Sequence, residues 1–257
     1  VPAKPLIGSA RQLNRLPLSV VVPVLNEAQR LPALLAQLQQ ASELVGEVLV
    51  VDGGSEDASR SIAALAGARL LRQGGGRGRQ LAAGVAAAQG CWLLLLHGDC
   101  SLPRGWDLAL RQAIQQGQTR SPKPIGAGAR AYCGARAYYF ELAIGGHQPG
   151  LRLVELAVAL RSRWWQQPYG DQGLLLPAGL LAAAGGVKPI PLMEDLDLVQ
   201  RLRRHGRLVS LRLRLLVDGR RWQRLGIWGA TLANARLRRA WRRGVDPEEL
   251  ARRYRAP

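Results

Sequence analysis

Three stretches of the chain are almost wholly apolar: LSVVVPV at 18–24, VLVVD at 48–52 and WLLLL at 92–96. Runs of this length, β-branched or leucine-rich and closed by Pro, Asp or Gly, predict strands buried on both faces. A shorter run, ARLLRQ at 68–73, predicts a fourth strand. Between them the apolar spacing changes to that of a helix. AQRLPALLAQLQQAS, 28–42, puts Leu31, Leu34, Leu35 and Leu38 on one face. A second helix is expected over 55–68 with Ser55 as its N-cap, and the glycine-rich GGGRGR at 74–79 opens a third that runs through Ala88. Strand and helix alternating at this interval give an α/β chain with a mostly parallel central sheet and helices on both faces. In such sheets ligands gather beyond the carboxyl ends of the strands. Asn26-Glu27, Asp52 and the His97-x-Asp99 pair all fall at those ends, so one edge of the sheet is the expected site.

The second half is less regular. A Pro-rich loop with a strand around 128–133 is expected first, then an amphipathic helix over 151–165. YGDQGLLLP brings Asp171 to the start of another strand. PLMEDLDLVQRLRRHG reads as a helix with Leu192, Leu196, Val199 and Leu202 on its apolar face, stopped by Gly206. A last strand is expected over 207–219. The organisation is then a basic arm over 1–17, a core domain over 18–218, and an Arg- and Trp-rich helical tail over 219–257, with no internal repeat.

Charge narrows the partners. The 257 residues carry 36 Lys and Arg against 18 Asp and Glu, a formal charge of +18. Such an excess favours nucleic acid, an anionic membrane surface or a phosphorylated substrate, although an arginine-rich composition alone also produces it. No nucleic-acid reader motif is present, so nucleic acid is not an expected partner. Three cysteines without a C-x-x-C pair fit a reduced, cytoplasmic setting. No apolar run reaches the roughly 18 residues of a membrane span, and the first residues lack the apolar centre of a secretory signal. The tail sets Trp222, Ile227, Trp228, Leu232 and Trp241 among arginines. That pattern suits a helix lying on the inner membrane face beside a lipid-linked acceptor, or equally a helix packed back on the core domain.

The polar clusters suggest chemistry. Residues two apart in an extended chain point the same way, so His97 and Asp99 can face one ligand, with Gly98 permitting close approach. An Asp with an imidazole can grip Mg²⁺ or Mn²⁺, or the Asp can simply cap a turn. Asp52, followed by two glycines, can accept from a ribose or base, or anchor a turn. GGGRGRQ is cationic and precedes a helix but lacks the P-loop pattern. Glu194-Asp195 lies in a first helical turn after an apolar loop, where a partly desolvated Asp could take a proton from a hydroxyl.

SVVVPVLNEAQRLPALL, VLVVDGGSEDAS, LLLLHGD, YGDQG and PLMEDLDLVQRLRRHG occur in the order and spacing of family 2 glycosyltransferases, which the chain resembles over roughly residues 18–222. Within them it resembles most a bacterial subgroup found near radical-SAM genes, through the H-x-D and G-D-Q-G segments. The resemblance implies a GT-A fold and inverting transfer of a sugar from a nucleotide-diphosphate donor, UDP foremost, to an unidentified acceptor hydroxyl, assisted by a divalent cation (Mn²⁺ or Mg²⁺). It implies that Pro23, Asn26, Glu27 and Asp52 hold base and ribose, with Arg77 and Arg79 near the diphosphate. Asp99 matches the metal-binding Asp, with His97 where relatives carry another Asp. Asp195, beside Glu194, matches the catalytic base. Asp171, Gln172, Arg221 and Trp222 are assigned to acceptor or diphosphate. The replacement of that Asp by His97, and Ala82-Ala83-Gly84 where many relatives have Asn-x-Gly, leave a non-catalytic binding or scaffold protein as the alternative.

Overall fold

The computed structural model describes residues 18–119 and 136–255. The expected arm over 1–17 and the strand around 128–133 lie outside them. The chain runs β1 (Leu18–Val24), α1 (Leu31–Gln40), β2 (Val45–Asp52), α2 (Ser59–Leu65), β3 (Arg69–Arg72), α3 (Arg77–Ala87), β4 (Trp92–Leu95), β5 (Cys100–Ser101), α4 (Trp106–Thr119), β6 (Arg136–Ile144), α5 (Pro149–Trp164), a 3₁₀ turn (Gly170–Gln172), β7 (Leu174–Pro177), α6 (Ala178–Ala183), α7 (Glu194–Leu202), β8 (Arg207–Val217), α8 (Arg220–Leu225), α9 (Ile227–Arg242) and α10 (Pro247–Arg255).

Eight strands form one sheet in the order β3-β2-β1-β4-β7-β6-β8-β5. The first half is parallel throughout, as the continuous apolar runs require. β1 pairs with β2 and β4, and β2 with β3, all parallel. The second half mixes directions, since β7 is antiparallel to both β4 and β6 while β6 and β8 run parallel. Alternation along β1 divides two cores. Leu18, Val20, Val22 and Val24 join a cluster with Leu31, Leu34 and Leu38 of α1. Val21 joins Leu49, Val51, Leu93 and Leu95 with Leu198 and Leu202 of α7 on the other face. Burying a strand on both faces is what selects its almost wholly apolar sequence.

Two local expectations are corrected. The second helix begins at Ser59 rather than Ser55. The Ser55 hydroxyl accepts instead from the Asn26 backbone N–H at 3.0 Å, so it ties two loops together. α7 starts at Glu194, and Leu192 belongs to the loop before it. That loop explains the glycines of 74–79. A Cβ on Gly78 would lie 2.1 Å from the Ile190 carbonyl oxygen, and one on Gly76 2.7 Å from Pro191 Cα. The start of α3 therefore presses its backbone against the 188–193 loop, which places the first turn of α7 above the carboxyl ends of β1 and β4.

Candidate functional site

A cleft of about 280 Å³ opens at that edge of the sheet. β4 ends in His97 and Asp99, both lining it. The first turn of α7 contributes Asp195, the 3₁₀ turn contributes Asp171, and α3 contributes Arg77. α8, α9 and α10 supply the remaining wall through Arg221, Trp222, Leu237 and Tyr254. Residues distant in sequence thus converge on one hollow, and the helices after β8 pack back to complete it. Asn234 and Arg238, from α9, are lining residues that sequence reasoning missed. The surrounding alternation of leucine and arginine gave them no local signature.

Asp195 is fixed by backbone donors. Its Oδ2 accepts from Gly170 N–H at 2.8 Å and its Oδ1 from Leu196 N–H at 2.7 Å. A side chain at Gly170 would be crowded, because a Cβ would meet His97 Nε2 at 3.0 Å and Asp195 Oδ2 at 3.2 Å. Imidazole, carboxylate and the 3₁₀ turn are therefore in direct apposition. Glu194, expected to share in catalysis, is buried and paired with Arg77 instead of facing the cleft. Burial pushes its carboxyl up, with Arg77 opposing. Burial also works against the Arg77 charge, but Glu194 and Asp195 outweigh it and hold the guanidinium above its ordinary value.

Arg77 determines the state of His97. A guanidinium nitrogen of Arg77 lies 3.2 Å from His97 Nε2. A guanidinium can only donate, so Nε2 accepts and the neutral ring carries its proton on Nδ1. Burial and the Arg77 charge lower the imidazole to about 3, against a smaller pull from Asp195. With Nε2 facing Arg77, His97 would have to give up that contact, or its Nδ1 proton, to join Asp99 on a cation. Among the described residues no three His, Cys, Asp or Glu side chains are gathered to hold an ion. Asp99 offers one hard carboxylate, raised mainly by burial and lowered by Arg220 at 3.6 Å. One carboxylate suits Mg²⁺ or Mn²⁺ when substrate phosphates and waters complete the shell. Asp171 has a buried Oδ1 without a hydrogen-bond partner, and burial raises its carboxyl while Arg161 opposes.

The residues expected to hold base and ribose lie within or just beyond β1 and β2, outside the lining of this cleft. Pro23 is within β1. Asp52 is buried, and both its oxygens accept from the backbone N–H groups of Gly54 and Ser55 at 3.1–3.2 Å. Asn26 adopts a left-handed backbone (φ 56°) and accepts from Glu56 N–H at 2.9 Å. Glu27 pairs with Arg220, and its Oε2 is buried without a hydrogen-bond partner. Gln80, which sequence reasoning passed over, joins the two strand ends by donating to the Val24 and Val51 carbonyls at 2.9 and 2.7 Å. Arg79 points outward to Glu248 of α10 at 3.1 Å. Gln172 turns inward, accepting from Ser162 at 2.9 Å and donating to the Phe140 carbonyl at 3.1 Å. At Gly98 a Cβ would meet Val24 Cγ2 at 3.2 Å, so the backbone is closely packed against the end of β1 there.

Comparison with solved structures places this architecture. Glucosyl-3-phosphoglycerate synthase from Mycobacterium tuberculosis, in complex with Mn²⁺, UDP and glucosyl-3-phosphoglycerate, superposes with a TM-score of 0.54 at 21% identity, covering 81% of this chain and 74% of that one. TarS 1-349 of S. aureus gives 0.57 at 16% identity, covering 78% and 60%. The fold is GT-A. Residues 19–123, which hold the GT-A strands β1 to β4, match the family model described as Glycosyl transferase family 2. Over 110 residues the chain is 34% identical to the undecaprenyl-phosphate 4-deoxy-4-formamido-L-arabinose transferase of Aeromonas hydrophila, covering 38% of this chain and 34% of that protein. The Enterobacter sp. (strain 638) protein of the same name is 35% identical over 96 residues, covering 33% and 29%. The chain spans about a third of the length of these curated relatives.

Proposed function

We propose that this chain is an inverting glycosyltransferase that moves a sugar from a nucleotide diphosphate, with UDP as the expected nucleotide, to an acceptor hydroxyl. The observation that carries the reading is that Asp99 and Asp195 line one cleft together with Arg77. The family 2 match over β1 to β4 and the UDP- and Mn²⁺-bound neighbour of the same fold support it. The finer likeness to relatives encoded near radical-SAM genes rests on the H-x-D and G-D-Q-G segments.

Asp195 acts as the base. As the acceptor oxygen forms its bond to the anomeric carbon, the carboxylate takes the hydroxyl proton. The bond from that carbon to the diphosphate breaks on the opposite face, the electron pair leaves with the diphosphate, and the sugar centre inverts. The backbone donors on both Asp195 oxygens fix its orientation before the acceptor arrives. Asp99 would hold the divalent cation, which supplies charge neutralisation to the leaving diphosphate when bound. Arg77 provides a permanent positive charge on the same side, positioned by Glu194 and needing no proton exchange. Asp52, Asn26 and Gln80 shape the strand-end loops against which base and ribose lie.

The acceptor side is formed by Tyr169, Trp222 and Tyr254. On α9, Trp228 and Leu232 stay exposed although Ala230 and Leu237 are buried. Those exposed side chains among arginines support contact with an anionic membrane surface, and the name of the curated relatives supports a lipid-linked acceptor. No described helix is long and apolar enough to cross a membrane.

A thermal-shift screen of nucleotide sugars with Mn²⁺ identifies the donor, since ligands bound only by the native form raise its melting point. Donor hydrolysis and transfer are then measured on the wild type, Asp99→Ala and Asp195→Ala. Both variants are expected to lose turnover. Full activity in both would overturn the mechanism and favour a binding protein, the reading that His97 in the place of a carboxylate supports.

A further inference from the structure

Beside the cleft lies a second hollow of about 340 Å³, bounded by α8, α9 and α10. Arg221, Arg224, Arg236 and Arg253 line it, and no carboxylate does. Three other arginines of these helices and of the cleft are paired with carboxylates: Arg220 with Glu27, Arg252 with Glu249 and Arg77 with Glu194. Arg253 is held by Glu249 at 2.9 Å. Arg224 and Arg236 have no ion pair or hydrogen bond among the described residues. Arg221 lies on the Tyr254 ring, 4.0 Å from its centroid, and donates to Asn234 Oδ1 at 3.3 Å, while its Nε is buried without a hydrogen-bond partner. Of the four, only Arg253 has a carboxylate partner among the described residues, and like charges lining one hollow repel one another. An anion with several acceptor oxygens relieves that repulsion through forked hydrogen bonds.

The two hollows share Arg221, Leu237 and Tyr254 as a common wall. Leu225, Ala233 and Ala240 give the second one an apolar side as well. We infer that it is an anion subsite that anchors a phosphate group of the acceptor, with the apolar side receiving the carbon chain next to that phosphate. The assignment to the acceptor rests on the transferase reading, whereas the anion site itself stands on the arginines.

Isothermal titration of the full chain tests both. Inorganic phosphate, glycerol 3-phosphate and dodecyl phosphate (below its micelle concentration) are titrated into the wild type and the Arg224→Gln/Arg236→Gln variant. Arg203→Gln/Arg204→Gln, at the far end of α7, controls for net charge. Far-UV circular dichroism and UDP affinity report on the folded state of each. Loss of two charge-assisted contacts is expected to weaken every phosphate ligand by roughly tenfold or more in the first variant, with the control and UDP binding unchanged. Tighter binding of dodecyl phosphate than of glycerol 3-phosphate assigns the site to a lipid-borne phosphate, and equal or weaker binding to a soluble phosphate ester. Phosphate affinity unchanged in Arg224→Gln/Arg236→Gln overturns the subsite and leaves the transferase reading intact. Wild type that binds phosphate through these arginines but binds no nucleotide overturns the transferase reading, and with it the assignment to the acceptor.

Discussion

Asp195 and His97 touch the same glycine, yet they answer to different tests. Asp195→Asn keeps the side-chain shape but removes the proposed base and one of the two backbone hydrogen bonds that the carboxylate accepts, so turnover is expected to fall by about 10²–10⁴-fold. The UDP-induced rise in melting temperature should remain. A matching loss of nucleotide binding would reassign Asp195 to the donor side. His97 is a matter of linkage. The unfolded imidazole takes up a proton as pH falls through about 6.5, whereas the folded one stays neutral down to about 3. The unfolded chain therefore binds more protons in that window, and the stability that this ring contributes above pH ~6.5 is lost as pH falls toward 3. Glu194 and Asp171, raised by burial, act in the other direction, because the folded form protonates first. Comparing His97→Gln with the wild type cancels them. Urea midpoints of the variant between pH 6.5 and 4, in metal-free buffer, are expected to decline less steeply. Identical slopes would mean that the ring is not held neutral by Arg77.

Among the elements, the contact of α3 with the loop before α7 sets the cleft. Gly78→Ala drives a Cβ into the Ile190 carbonyl, and overpacking of this kind costs about 1–3 kcal/mol. Urea unfolding should show that loss together with reduced turnover, since the displaced loop leads into the first turn of α7, which carries Asp195. An unchanged midpoint would show that the loop yields freely. The strands β1, β2 and β4 were legible in the sequence because burial on both faces leaves long apolar runs, VVVPV, VLVV and WLLL, with few polar positions to confuse the period. α1 was legible because burial on one face leaves a clean stripe. The glycines of 74–79 were misleading for a physical reason: flexible backbone near phosphates and tight helix packing demand the same residue. β6 was passed over because its core, AYYFELAI, follows a Pro-rich stretch that drew attention to 128–133. At the site, Asp99, Asp171, Asp195 and Arg77 could be named from strand ends and helix starts. The pairing of Arg77 with both Glu194 and His97 could not, since it joins residues 117 and 20 positions apart. The pairs Arg79–Glu248 and Glu27–Arg220 were hidden by the same distance.

For the molecule as a whole, the helices after β8 are a wall of the cleft as well as a cover for the sheet. Leu250 and Ala251 of α10 are buried with Leu192, Met193 and Leu196, the residues on either side of the Glu194-Asp195 pair, and with Leu237 of α9. Leu250→Ala removes a fully buried side chain, which typically costs about 2–5 kcal/mol. Because the cavity opens behind Asp195, activity is expected to fall at temperatures well below the unfolding midpoint, and the near-ultraviolet signal of Trp222 and Tyr254 should change with it. Full activity up to the unfolding transition would show that α10 is only a cover. This dependence has a bearing on synthesis. The sheet and every acidic group of the cleft are complete once residue 218 has left the ribosome, but Leu237, Tyr254 and the arginine hollow come from chain made afterwards. A nascent or truncated chain ending before α9 would have the sheet and the Asp99 and Asp195 carboxylates but only part of the cleft, so under the proposed transferase reading it is expected to lack turnover until the last helices are made.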